Sequence, residues 1–268
     1  MLKASVVMAT NSTVDSIADA VSALTAQTYG NLEIVIVIDR VCAPDEKALF
    51  QSTYPEVNFQ FLDSVNFLPA ALNAGIAAAS GEIILRCDDD DICVPQRVTR
   101  QVELLQSGDL DFVWSTALGV RDGGGTPWTI PCPQDDASIK SALVRRNVLV
   151  HSTLAGWKSS FERVGMYSTT FKRSQDYEMY LRALRKGMKF GAVKEPLVTR
   201  HYGRDSITVK HRKNQIMFSF AAQILHGANT NDIGYVLRRS VYYIVLLLFP
   251  DSLRSLRRRI STLTRRGV

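Results

Sequence analysis

Asp88-Asp89-Asp90-Asp91 ends the apolar run Ile83-Ile84-Leu85, with Arg86 and Cys87 between them. Four adjacent carboxylates repel one another, so the run is costly unless positive charge sits beside it. If Ile83 to Leu85 form a buried strand, its C-terminal end carries the carboxylates to the mouth of an open α/β sheet, where such sheets bind ligands. Hard cations such as Mg²⁺ or Mn²⁺ suit carboxylate ligands, and a diphosphate suits the cation. The alternative is a solvated acidic turn. Pro95, near the first turn of a following helix, gives the run a strand-to-helix setting. A second candidate is Asp176. Tyr177, Leu181 and Leu184 form the buried stripe of a helix that ends near Gly187, and Asp176 lies in its first turn. There the helix dipole favours the carboxylate by about 0.3–1 kcal/mol. An ionised Asp facing a cleft can take a proton from a hydroxyl. It reads equally as a plain N-terminal helix charge.

Elements that alternate between strand and helix must position these groups. Ser5 to Ala9 and Glu33 to Ile38 read as buried strands, and Val57 to Leu62 as a third. Ser12 is expected to cap the helix carrying Ile17, Val21 and Leu24, with Asp15 three residues on in a capping box. Ala70 to Ala79 is a small-residue helix closed by Ser80-Gly81, and Val98, Val102 and Leu105 mark another. Asp111 to Ser115 and Pro196 to Thr199 are further strands, and Arg121 to Pro127 a turn. The pattern implies an α/β fold with a mostly parallel, doubly wound sheet flanked by helices. Thr10, Asp39 and the acidic run then share one sheet edge, across which a nucleotide could lie. His151 and His201 are each open to a structural or a functional reading, the latter as a metal or phosphate ligand.

The chain has 268 residues and a net charge of +6, with no repeat. From Tyr235 onward there are eight Arg, one Asp and no Lys or Glu, so that stretch carries +7 and the rest −1. Basicity confined to a tail argues against a nucleic-acid-binding face. Cys42, Cys87, Cys93 and Cys132 show no metal-ligand spacing and read as reduced thiols of a cytoplasmic protein. The apolar start, Ala4 to Ala9, is too short for a signal peptide. Val241 to Phe249 falls short of the roughly 20 residues that a spanning helix needs. With Arg254, Arg257, Arg258, Arg259, Arg265 and Arg266 behind it, it suits an anionic membrane surface, or a helix docked on the domain.

Taken in order, Ser5 to Thr10, Ala26-Gln27-Thr28-Tyr29, Glu33 to Asp39, Ala71 to Ile76, Ser80 to Ile83, Arg86 to Asp91 with Pro95, Arg97 and Gln101, Gly165-Met166-Tyr167, and Gln175-Asp176-Tyr177 with Leu181-Arg182 resemble glycosyltransferase family 2, inverting nucleotide-sugar transferases of the GT-A fold. The resemblance covers about residues 4–208. It implies a transferase unit over 1–210, with a nucleotide-sugar half (1–110) and an acceptor half (111–210), followed by a helical extension over 211–268. It implies that Thr10, Asp39, Asn73, Arg86 and Asp88 bind the nucleotide, usually uridine. Asp90, with Asp88 and His201, would bind Mn²⁺ or Mg²⁺, and Asp176 would be the catalytic base. The implied partners are a nucleotide-sugar donor and a glycan or lipid-linked acceptor of cell-surface polysaccharide synthesis, at the inner face of the membrane. Ala9, Asn11-Ser12, Arg40, Leu68-Pro69 and Gln175 depart from the family's usual residues, the first three at the base pocket. A sugar nucleotidyltransferase shares the sheet and carboxylates but needs a glycine-rich basic phosphate loop, which the N-terminus lacks; it would release pyrophosphate. A non-catalytic nucleotide-sugar-binding module would neither hydrolyse nor transfer.

Overall fold

The computed structural model describes residues 1–203 and 212–248. Residues 204–211 and 249–268, the latter with Phe249 and the six arginines from Arg254 to Arg266, lie outside the described residues. Strands β1 (Ala4–Thr10), β2 (Leu32–Ile38), β3 (Val57–Phe61) and β4 (Ile83–Cys87) form a parallel sheet in the order β3-β2-β1-β4. Alternation along each strand builds two cores. Val6, Met8, Ile36 and Leu85 face α1 (Ala18–Thr25), α2 (Pro44–Thr53) and α4 (Arg97–Ser107), while Val7, Val35 and Ile84 face α3 (Leu68–Ala78) and helices of the second half. Apolar residues on both faces of one strand explain why these strands read as unbroken hydrophobic runs.

The second half makes the sheet mixed. β5 (Ile92–Cys93), β6 (Phe112–Arg121), β7 (Trp128–Ile130), β8 (Ala155–Trp157) and β9 (Phe190–Tyr202) extend it as β4-β8-β6-β9-β5, with β7 hairpinned onto β6. β8 runs antiparallel between β4 and β6. Its three residues lie inside the segment Asn147 to Trp157, whose sequence shows no strand period. β9 extends far beyond the expected Pro196 to Thr199, because its pairing with β6 continues through an irregularity at Ser115 to Ala117. Helices α5 (Asp136–Leu143), α6 (Lys158–Val164) and α7 (Gln175–Arg185) cover the second core.

Helices α8 (Arg212–Asn229) and α9 (Ile233–Leu248) form a hairpin pinned beside α7. Gln223 donates to the Arg145 carbonyl at 3.1 Å and to the Tyr177 hydroxyl, and Tyr235 Oη donates to the Val144 carbonyl at 3.0 Å. Ser174, two residues before Asp176, hydrogen-bonds the Gln215 carbonyl and the Ser219 hydroxyl.

The expected capping box is corrected. Val14 leads into a 3-10 turn over Asp15–Ile17, with no side-chain cap, and the Ser12 hydroxyl donates instead to Asp89 Oδ2 at 2.8 Å. A carboxylate brought near by tertiary folding is a stronger acceptor than a local backbone group. All four cysteines are buried free thiols, as their spacing implied.

Gly81 opens β4 where a Cβ would stand 2.8 Å from the Ser5 nitrogen and 2.9 Å from the Ala4 carbonyl carbon. Backbone cannot give way as a flexible side chain does, so Gly81→Ala must prise β4 from β1. We expect a loss of about 1–3 kcal/mol of stability, read as a lower urea midpoint at unchanged m-value.

Candidate active site

The acidic run sits in the turn after β4, and three neighbours hold it. From behind, the buried Arg97 of α4 donates to the Arg86 carbonyl at 2.5 Å, to Cys93 Sγ at 2.9 Å and to Gln101 Oε1 at 3.0 Å; Gln101 in turn donates to the Thr153 carbonyl at 2.7 Å. Arg97 and Gln101 are four residues apart, so both reach from one face of the helix. The Cys87 and Cys93 sulfurs lie 3.5 Å apart, bracketing the carboxylates. The Cys87 hydrogen bond, with Arg97, pulls the Cys93 thiol down to about 6. On the β1 side, the Thr10 and Ser12 hydroxyls both donate to Asp89. Within the site, Arg86 Nη2 pairs with Asp88 Oδ1.

Asp88, Asp90 and Asp91 each place a carboxylate oxygen within 4.8 Å of the others, a set that could hold a metal ion. Asp91 is fully buried, and among the described residues neither of its oxygens has a hydrogen-bond partner. Ser152 stands near enough to favour its ionised form but makes no hydrogen bond of normal geometry. Burial, and then the Asp88 carboxylate, pushes the Asp91 carboxyl up to about 7. Burial followed by Asp88 and Asp89 raises Asp90 as well. Hard oxygen donors clustered at this distance, with both Asp91 oxygens orphaned, fit a divalent cation. Asp91, within the run but given no role of its own from sequence, is the best buried of the three.

Of the expected nucleotide residues, Thr10 and Asp39 meet at the β1 and β2 ends. The Asp39 amide donates to the Thr10 carbonyl at 2.7 Å, and Asp39 Oδ1 accepts from the Asn66 amide at 2.7 Å. Asn73 is spent differently. Its amide donates to the Tyr167 carbonyl at 2.8 Å and accepts from the Tyr167 nitrogen at 2.9 Å. It thereby fixes Tyr167, whose hydroxyl meets His151 Nε2 at 2.8 Å. Burial, with Arg86 and Arg200 nearby, holds His151 well below its ordinary value, so it is a neutral partner at pH 7.

Asp176 opens α7, and Asn147 Nδ2 donates to its Oδ2 at 2.8 Å. Burial raises its carboxyl; the Tyr177 amide, Asn147, Arg86 and Arg200 pull the other way. Arg86 acts on Asp88 and Asp176 alike, and so does Arg200. The acidic run and Asp176 therefore share one electrostatic site.

Arg200 was not singled out from sequence; its neighbour His201 was. β9 alternates, so the two side chains leave opposite faces. The pairing of Ile92 with Thr199 and Cys93 with Val198, carried one step further, brings Arg200 opposite Asp91. His201 is exposed and is not drawn into the carboxylate group. Arg86 is buried at 4% exposure, and among the described residues its Nε and Nη1 have no partner. Burial, the largest single influence, disfavours its charge, but Asp88, Tyr167 and Asp91 together outweigh it and raise the guanidinium's pKa. Asn147 and Tyr167 were also missed, since only tertiary contact gives them roles.

The family model for glycosyl transferase family 2 matches residues 5–171. The chain is 26% identical over 191 residues to the uncharacterised glycosyltransferase YwdF of Bacillus subtilis (strain 168), covering 68% of each chain. It is 23% identical over 234 residues to the amylovoran biosynthesis glycosyltransferase AmsE of Erwinia amylovora, covering 86% of each. It spans about two thirds of the length of the first of these relatives. Among solved structures, residues 1–349 of S. aureus TarS in complex with UDP-GlcNAc superimpose with a TM-score of 0.67 at 16% identity, over 89% of this chain and 72% of that one. The fold is of the GT-A type. The chain belongs to glycosyl transferase family 2.

Proposed function

We propose that the chain moves a sugar, with inversion, from a uridine diphosphate-linked donor to a hydroxyl of a glycan or lipid-linked acceptor in cell-surface polysaccharide synthesis. The observation that carries this reading is the cluster of Asp88, Asp90 and Asp91 carboxylates together with a buried Asp176 held by Asn147, the Arg86 that ion-pairs with Asp88 being close enough to favour the Asp176 carboxylate. A single displacement needs a base on one side of the anomeric carbon and positive charge at the leaving diphosphate on the other. AmsE supports the polysaccharide setting by its name, and the TarS complex supports the donor class.

Asp88, Asp90 and Asp91 would hold Mn²⁺ or Mg²⁺. Bound there, the ion would act as a Lewis acid toward the diphosphate. Thr10 and Asp39, at the ends of β1 and β2, would orient the base and ribose, and Asp88 would reach toward the ribose. Asp176 takes the acceptor proton; Asn147 fixes the Oδ2 that does not receive it. Arg200, opposite Asp91, offsets charge that builds on the leaving group.

Asp176→Asn should lower kcat by about 10²–10⁴-fold and leave UDP affinity unchanged; wild-type turnover in that variant would refute the assignment. The base must be ionised, and burial raises its pKa. Activity should therefore fall on the acid side, with a midpoint above the ordinary carboxylate range of about 4. The Asn147 hydrogen bond favours the ionised form, so Asn147→Ala should move that limb to higher pH.

For the metal, thermal unfolding with UDP and Mn²⁺ gives a readout free of turnover. Saturation to about 100 times Kd stabilises by about 2.7 kcal/mol, and Asp90→Ala should remove the Mn²⁺-dependent part. Pyrophosphate release from a nucleoside triphosphate and a sugar phosphate would instead indicate a nucleotidyltransferase.

An anionic lipid surface is the membrane partner of this reading. Ile233, Leu237, Val241 and Ile244, spaced four, four and three residues apart, line the outer side of α9 at 73%, 61%, 61% and 53% exposure. Tyr235 and Tyr243 are buried on its other side. The sequence that follows carries six arginines and one aspartate. Among the described residues no helix is long and apolar enough to cross a membrane. An apolar stripe beside a basic segment suits the headgroup layer. The full chain should pellet with phosphatidylglycerol vesicles and not with phosphatidylcholine alone, and Leu237→Ser/Val241→Ser should abolish pelleting. Pelleting unchanged by that pair would defeat the idea, as would a dimer in solution that the pair dissociates.

A further inference from the structure

We infer that Trp128 is a stacking platform for a sugar ring of the acceptor, the outer end of a binding strip that starts at the carboxylates. This inference rests on the glycosyltransferase reading and adds the place and chemistry of acceptor recognition. It begins from sheet register. Trp128 of β7 pairs with Gly119 of β6, and Gly119 pairs with Arg200 of β9. Arg200 stands opposite Asp91 when the β9–β5 pairing is carried one residue on. Directly paired residues project from the same face of a sheet. Arg200, Gly119 and Trp128 thus form one row across three strands, with Asp91, the residue before β5, at its inner end, at the end of the sheet that holds the candidate active site. Neighbouring strands lie about 4.8 Å apart, so the row spans about 15 Å, the length of a short oligosaccharide.

The row is built to present the indole. A Cβ at Gly119 would lie 2.4 Å from Trp128 Cε2 and Cζ2, so the ring lies across the glycine. Covering a cross-strand glycine is a known use of an aromatic residue, and it accounts for the ring's inner side. It does not account for the rest. Trp128 stays 37% exposed, at the threshold of solvent, while Trp114 of the same sheet is fully buried. Tyr202, two residues beyond Arg200 on the same face, sets its ring 5.2 Å from the indole at 44°. The Arg200 guanidinium lies 5.1 Å from the Tyr202 ring, and its Nη1 donates to the Tyr202 hydroxyl at 3.3 Å. Arg121 lies 5.7 Å from the indole. An exposed indole beside a half-buried tyrosine, one polar hydroxyl and two guanidinia, of which Arg200 also faces Asp88 and Asp91, match a pyranose. Its C–H face takes the indole, and its hydroxyls take the hydrogen-bond donors and acceptor. Thr10 and Asp39 lie at the ends of β1 and β2, across β4 from this strip, so the nucleotide base and the platform occupy opposite sides of the acidic turn.

The test is a microarray of immobilised bacterial oligosaccharides, probed with the full chain in the presence of UDP and Mn²⁺, with UDP affinity measured separately by calorimetry. The wild type should bind pyranose-containing spots. Trp128→Ala should lose about 10-fold or more of that signal, Trp128→Phe should keep most of it, and both should bind UDP as the wild type does. Since Trp128→Ala uncovers Gly119, each variant's thermal unfolding is recorded, and Tyr202→Ala gives an independent partial loss. Full glycan binding by Trp128→Ala overturns the inference. So does an equal fall in UDP affinity, which would place the ring at the donor. A wild type that binds UDP but no saccharide overturns the platform and leaves the donor reading standing; one that binds neither overturns both.

Discussion

Four carboxylates stand in sequence at the end of one buried strand, and their mutual repulsion is the constraint to which the surrounding structure answers. Each neighbour offsets a part of it. Arg86 ion-pairs with Asp88 inside the site, Arg97 props the turn from behind, and Arg200 reaches in from β9 opposite Asp91. The Thr10 and Ser12 hydroxyls satisfy Asp89. What remains is Asp91, buried with both oxygens unpartnered among the described residues, beside Asp88 and Asp90. Protein groups that stop short of full compensation leave a site with affinity for an added cation, and for the phosphates such a cation attracts.

Burial does different work on different groups here. It raises Asp176, in keeping with the base role proposed for it. It holds His151 neutral, so that the imidazole serves as a hydrogen-bond partner of Tyr167 and adds no further charge. Tyr167 is in turn held by both ends of the Asn73 amide, reaching across from α3. A residue of the first half thus fixes the geometry of the second. The β7 side of the sheet is more open: β6, β7 and β9 extend past the covered core and carry Trp128, Tyr202 and Arg121.

Much of the fold was legible because β1, β2 and β4 are apolar on both faces, β3 alternates cleanly, and short turns separate them from helices. Val6, Val7, Val35, Ile36, Ile84 and Leu85 need no partner's identity to be recognised as buried. β8 was not legible, since three residues between a 3-10 turn and a helix carry no period. The capping role expected of Ser12 failed for the reason that a distant carboxylate outcompetes a local amide. At the site, the acidic run and Asp176 were readable from charge and helix position. Asn147, Tyr167 and Arg200 were not, because their partners lie far away in sequence and nothing in the residues themselves marks the contact.

By itself the sequence determined the alternation of elements, the acidic turn that ends a buried strand, the aspartate that opens a helix, and the separation of a near-neutral body from a basic tail. These follow from local periodicity and charge, which survive in any fold the chain adopts. Only the tertiary structure decided that Arg86 and Arg200 serve both Asp88 and Asp176, that Asp91 is the buried member of the cluster, and that His201 faces away while its neighbour faces in. Those outcomes depend on strand register, and a shift of one residue would exchange every side chain between the faces of β9.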